Sequence, residues 1–123
     1  MGNLIIYSTT DGQTKKICET IKDNLQSGNN FKLISLDEAL NFDLEKCEKI
    51  IIGASIRYGR HNKKLLDFII KNKNILHLKK NAFFSVNVVA RKEEKSTPEN
   101  NPYVINFLKK TNWKPNKLSV FAG

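Results

Sequence analysis

The sequence predicts an α/β fold: one domain built on a doubly wound, five-stranded parallel sheet. Three observations predict it. Short apolar runs alternate with segments of helical spacing along all 123 residues. Two of those runs are continuously apolar, as strands buried on both faces are. The length is that of a single domain, and 40% apolar residues suffice for one core.

Each element follows in order. Leu4-Ile5-Ile6-Tyr7 is a short apolar strand closed by the polar cluster Ser8 to Thr14. From Thr14, apolar residues recur at Ile17, Cys18, Ile21 and Leu25, a helical spacing that Gly28-Asn29-Asn30 ends. Residues 31–36 partly alternate and read as an edge strand. Residues 37–47 are polar and acidic, with room for one helical turn, and Cys47 falls in a loop. Ile50-Ile51-Ile52-Gly53-Ala54 reads as a central strand. A loop from Ser55 to Asn62 precedes a helix over 63–73 with Leu65, Leu66, Phe68, Ile69 and Ile70 on its apolar side. Ala82 to Val86 is the fourth strand, followed by a long charged stretch, Asn87 to Asn101; long loops in compact domains are commonly functional or disordered. Asn101 caps and Pro102 opens a helix over 102–110, with Tyr103, Val104, Phe107 and Leu108 buried. Leu118 to Ala122 is the last strand. Right-handed crossovers and central placement of the two most apolar strands give the order 2-1-3-4-5, with a switch point between strands 1 and 3 where a ligand binds.

The chain stops at Gly123, directly after the fifth strand, so the expected sheet lacks a closing C-terminal helix. Either the chain is a fragment or a partner covers the bare face.

Charge is unevenly distributed. Residues 1–56 carry six Lys and eight Asp/Glu, a balance of −2; residues 57–123 carry fifteen Lys/Arg and four acids, a balance of +11. Such asymmetry marks a face for an anionic partner, or it reflects coding bias, since Lys, Asn and Ile together supply 18, 15 and 13 residues. Against that bias the three arginines, Arg57, Arg60 and Arg91, stand out, because the two short segments that hold them are expected at the ligand-binding edge of the sheet. No apolar run of membrane-spanning length occurs, and the N-terminus lacks the charge and length of a signal peptide. Cys18 and Cys47 have no motif spacing, which points to a reducing compartment. Spacings for zinc ligands or hydrolytic triads are absent.

Three segments carry the chemistry. Thr9-Thr10-Asp11-Gly12-Gln13-Thr14 links the first strand to the first helix, where backbone N–H groups, hydroxyls and the helix dipole favour a phosphate; a simple capping turn is the plainer alternative. The Walker and G-x-G-x-x-G patterns are missing. Ser55-Ile56-Arg57-Tyr58 leaves the third strand, offering an aromatic ring for stacking and a guanidinium for an anion; a solvated basic loop is the alternative. Ser85-Val86-Asn87-Val88-Val89-Ala90-Arg91 leaves the fourth strand, with Val88 and Val89 either lining a site or buried in the strand. His61 reads as a surface residue and His77 has no partner pattern. Phe83, Phe84, Phe107 and Trp113 read as core.

The first segment resembles the flavodoxin phosphate loop, Thr/Ser-x-Thr-Gly-x-Thr, matching at Thr9, Gly12 and Thr14 and departing at Asp11. Tyr7 to Thr14, Ile52 to Gly59 and Ser85 to Lys92 together are similar to the pattern of the flavodoxin-like, quinone-dependent protoporphyrinogen IX dehydrogenases, in which that Asp is regular. Thr97-Pro98 and Trp113-Lys114-Pro115 also look like that family, so the resemblance spans the chain. It implies a flavodoxin-like fold with FMN held by Thr9–Thr14, Ser55–Tyr58 and Ser85–Arg91. It implies oxidation of protoporphyrinogen IX to protoporphyrin IX in haem biosynthesis. Electrons would pass to a membrane quinone, menaquinone or ubiquinone. It further implies a cytoplasmic protein in peripheral contact with the anionic inner face of the cell membrane. Family members continue past the fifth strand with a basic, aromatic insertion and a final helix. Two alternatives stay open: a flavodoxin-like electron carrier without its own substrate, and a truncated non-catalytic form. No catalytic acid or base is identifiable, nucleic acid is not an expected partner, and self-association is left open.

Overall fold

The computed structural model describes residues 2–8, 16, 19, 31–55, 63–86 and 100–121. Five strands, β1 (Gly2–Ser8), β2 (Phe31–Ser35), β3 (Cys47–Ser55), β4 (Lys80–Val86) and β5 (Lys117–Phe121), form one sheet. Every pairing is parallel, and the order is β2-β1-β3-β4-β5, as the sequence predicts. Helices α1 (Leu36–Ala39), α2 (Lys63–Leu78) and α3 (Pro102–Thr111) lie in the connections. Of the expected helix at 14–26, Lys16 and Glu19 are described; both are helical and exposed.

Alternation along the strands buries both faces. Leu4, Ile6, Ile50, Ile52 and Phe83 join Leu65, Phe68, Ile69 and Leu76 of α2 and Phe107 of α3 in the main core. Ile5, Phe31, Phe84 and Val86 form a second cluster. Phe83 stacks on Phe107 with centroids 4.7 Å apart and meets Trp113 edge-on at 5.7 Å, so the aromatics read as core pack as core.

Local chemistry sets the helix ends. Asn101 Oδ1 accepts from the N–H groups of Tyr103 and Val104 at 3.1 and 3.3 Å, with Pro102 opening the helix. Asn112 closes it in the left-handed region at φ 56°, a conformation asparagine tolerates. A reciprocal capping box between Ser35 and Glu38 starts α1.

Two boundaries differ from expectation. Helix α2 runs to Leu78 rather than residue 73. Asn72, Lys73 and Asn74 dilute its apolar stripe, but Asn72 satisfies its amide within the helix, donating to the Phe68 carbonyl at 2.9 Å, and Leu76 is fully buried. Cys47 is not in a loop: it opens β3, pairs with Gly2 and is 3% exposed. The polar Glu48 and Lys49 that follow it, and a register shift between Gly2 and Asn3, hide this start from the apolar pattern.

Candidate functional site

Strands β2 and β3 lie on either side of β1, so the chain reverses its winding direction there. Ligands of open α/β sheets bind in the crevice beyond the carboxyl ends of the strands at such a point. In this sheet the relevant ends finish level. Ser8 of β1 pairs with Ala54 of β3, Ala54 with Ser85 of β4, and Ser55 with Val86. The three segments that carry chemistry in the sequence leave from these ends.

Ser8, Ala54 and Ser85 form a row of small side chains across three adjacent strands, and all are buried. No bulky or charged side chain stands in this row. Ser8 was not among the expected site residues; its signal is positional, as the last residue before the Thr9 segment. Ser55 is half-buried at the tip of β3, Ser85 is fully buried, and Val86 packs with Ile5, Phe31 and Phe84. The other expected contacts lie outside the described residues: Thr9, Thr10, Asp11, Gly12, Gln13 and Thr14, then Ile56, Arg57 and Tyr58, then Asn87, Val88, Val89, Ala90 and Arg91.

Beneath the site, Gly53 has a structural role. The Phe84 ring lies directly over its Cα, and a Cβ built there would sit 2.6 Å from Cε1 of that ring. Glycine at this position lets β3 and the Phe84 ring come into contact two residues short of the strand tips.

Cys47 and His77 lie at the opposite end of the sheet. Burial pushes the Cys47 thiol above its usual range, against an opposing pull from Lys79. His77, in the last turn of α2, accepts from the Lys114 amide at 3.5 Å and so ties that helix to the α3–β5 connection. Among the described residues, no cluster of three His, Cys, Asp or Glu could hold a metal ion, and no helix is long and apolar enough to cross a membrane.

Fold and strand-end geometry together define a flavodoxin-type domain. The family model of the flavodoxin domain matches residues 4–123. Flavodoxin 2 from Bacillus cereus superposes with a TM-score of 0.66 at 19% identity, over 99% of this chain and 84% of that one. A Lactobacillus acidophilus flavoprotein in complex with FMN gives 0.62 at 20% identity, over 98% and 90%. Sequence similarity is more specific. The protoporphyrinogen IX dehydrogenase [quinone] of Escherichia coli K12 is 37% identical over 124 residues, covering 100% of this chain and 68% of the relative. The Leishmania major protein of the same name is 37% identical over 122 residues, covering 98% of this chain and 53% of its own length. The chain belongs to the quinone protoporphyrinogen IX dehydrogenase family, oxidoreductases built on the flavodoxin domain.

Proposed function

We propose that this protein binds FMN at the carboxyl ends of β1, β3 and β4 and oxidises protoporphyrinogen IX to protoporphyrin IX, with a membrane quinone as electron acceptor. The observation that carries this is 37% identity along the whole chain to dehydrogenases of that name, joined to a switch point where three strands end level over small side chains. Small side chains at the strand ends, Ser8, Ala54 and Ser85, with half-buried Ser55 at the tip of β3, support this reading.

The residues proposed to hold the phosphate are Thr9 to Thr14, whose N–H and hydroxyl groups precede a helix. Ser55 to Tyr58 and Ser85 to Arg91 are proposed as the two walls of the ring site. FMN would supply a two-electron acceptor, while the chain positions it, shields it from water and tunes it. Each porphyrinogen loses six electrons and six protons, so three turnovers reduce three quinones to quinols. Arg57 or Arg60 is the proposed partner of a substrate propionate or of the reduced flavin, since a guanidinium meets a carboxylate through two parallel hydrogen bonds. The net charge of +9 supports peripheral contact with an anionic membrane from the cytoplasmic side, where the quinone acceptor is reached.

Two measurements test this reading. Addition of FMN to the purified protein should give a bound-flavin absorption spectrum with micromolar affinity. Porphyrin fluorescence should then grow from protoporphyrinogen IX only when a quinone is also present. Flavin uptake with no porphyrin formation would leave a carrier without its own substrate, and absence of flavin uptake would overturn the proposal.

A further inference from the structure

Four large apolar side chains are exposed among the described residues: Leu40, Ile70, Leu78 and Ile105. Single exposed apolar residues are ordinary, but three of these share one layer. Ile70 and Leu78 belong to α2 and Ile105 to α3, helices that pack beside each other on the same face of the sheet. Leu65, Phe68, Ile69, Leu76 and Phe107 turn inward from these helices, so the exposed set lies on their outer sides. Leu78, closing α2, is 84% exposed. The same two helices carry six lysines, Lys63, Lys64, Lys71, Lys73, Lys109 and Lys110, against one acid, Asp67. All of the lysines but Lys73 are exposed. The fourth exposed side chain, Leu40, has the opposite company: Asp37, Glu38, Asp43 and Glu45 flank it in sequence.

We propose that the outer side of α2 and α3 is the surface by which this protein lies on an anionic lipid bilayer, with Ile70, Leu78 and Ile105 entering the headgroup layer and the lysines facing lipid phosphates. Charge and side-chain type support this occupant. A basic residue near an anionic leaflet gains about 1 kcal/mol, roughly fivefold in binding constant. Apolar side chains set among such residues add burial at the acyl boundary. Neither helix carries an arginine. Protein interfaces are enriched in arginine and depleted of lysine, whereas flexible point charges suit a mobile array of lipid headgroups. Nucleic acid would engage the lysines but leave the three apolar side chains in water. The inference rests on the proposed function only for the membrane itself, and adds where the protein touches it. A bilayer at this surface runs parallel to the sheet, one helix layer or about 10 Å away, so the carboxyl edge opens along the membrane.

The test is sedimentation of the whole chain with vesicles of phosphatidylcholine alone or mixed with phosphatidylglycerol, without substrate or quinone. The mixed vesicles should bind at least about tenfold more tightly, as more than one lysine contributes. Lys71→Gln and Lys109→Gln should each weaken that binding by about fivefold, with circular dichroism unchanged. Leu78→Trp should show a blue shift in emission on the mixed vesicles, over the constant signal of the buried Trp113. Leu40→Trp should show none. Equal binding to both vesicles, lysine variants that bind like the parent, or a shift at Leu40→Trp instead of Leu78→Trp would each overturn the proposal. So would tighter binding of an oligonucleotide that the lysine variants weaken and Leu78→Ser does not. Vesicle binding without porphyrin formation would leave this surface standing while the proposed reaction fails; porphyrin formation by a chain that ignores vesicles would do the reverse.

Discussion

Replacing Gly53 by alanine tests whether contact between β3 and the Phe84 ring holds the strands in place beneath the site. The added Cβ would fall within the Phe84 ring, 2.5 Å from Cε2 and 2.6 Å from Cε1. Carbon atoms pack at about 3.5–4.0 Å, so the ring must retreat by more than an ångström. It has little room: Phe84 is 3% exposed and packs with Ile5, Phe31 and Val86, themselves 0%, 5% and 4% exposed. Overpacking of this kind costs about 1–3 kcal/mol, and a clash with a buried ring belongs at the upper end, about 2–3 kcal/mol. For a chain of this length that lowers Tm by about 10 °C. The assay is thermal unfolding followed by circular dichroism, run as a cycle with Phe84→Ala. Phe84→Ala alone costs about 3–5 kcal/mol by opening a cavity. In the double variant the new methyl enters that cavity, so the two penalties should fall short of adding by about 2 kcal/mol. A Gly53→Ala protein within about 0.5 kcal/mol of the parent, or strictly additive penalties, would refute the argument.

Three further outcomes follow from other parts of the fold. Asn81 donates to the Leu76 and Lys79 carbonyls at 2.8 and 3.0 Å and accepts from the Asn116 amide at 2.9 Å. Asn81→Ala should therefore cost about 2–3 kcal/mol in urea unfolding, against about 1 kcal/mol for the exposed Asn116→Ala. Asn101→Ala, which removes the cap of α3, should cost about 1–2 kcal/mol in the same assay. The Cys47 thiol is raised above its ordinary 9.0 by burial, so the folded state favours its protonated form. Its contribution to stability is full below the unfolded value and is lost as pH rises through the folded one. In a Cys18→Ala background, alkylation of Cys47 should be slow at pH 8 and should accelerate on unfolding by urea; fast labelling of the folded protein would contradict the burial.

Strand order was legible because β1 and β3 carry uninterrupted apolar runs, Leu4–Ile6 and Ile50–Ile52, while the flanking β2 alternates. That contrast places two strands centrally and pushes the alternating ones to the edges. Asn101-Pro102 announced α3 because a side-chain acceptor followed by a residue without an N–H suits a helix start. The ends of elements were harder to read, since they depend on tertiary partners. Cys47 joins β3 through pairing with Gly2, and Leu76 extends α2 by packing into the core. The Gly53–Phe84 contact was invisible for the same reason: it joins residues 31 apart in sequence, through register. Of the site, the sequence indicated the strand ends and their departing segments. The small row Ser8, Ala54, Ser85 emerges only when three strands are aligned side by side.

That alignment also changes how the net charge should be read. Strands run parallel and the helices return between them, so the last turns of α2 and α3 lie at the amino end of the sheet. Lys79, Lys80, Lys109, Lys110, Lys114 and Lys117 are all at that end. A strand of seven residues at about 3.3 Å each sets them roughly 20 Å from the carboxyl ends of β1, β3 and β4, more than twice the Debye length of about 8 Å at physiological salt. These six cations therefore act on a ligand at the carboxyl edge through a screened, long-range field that speeds encounter with anionic partners but does not select among them. Selection at that edge falls to groups that can reach the ligand, and a dicarboxylate is best met there by a guanidinium, which fixes orientation as well as charge. At the amino end Lys79 serves the fold instead: it donates to the Glu45 carbonyl at 2.8 Å and so ties the end of α2 to the turn before β3.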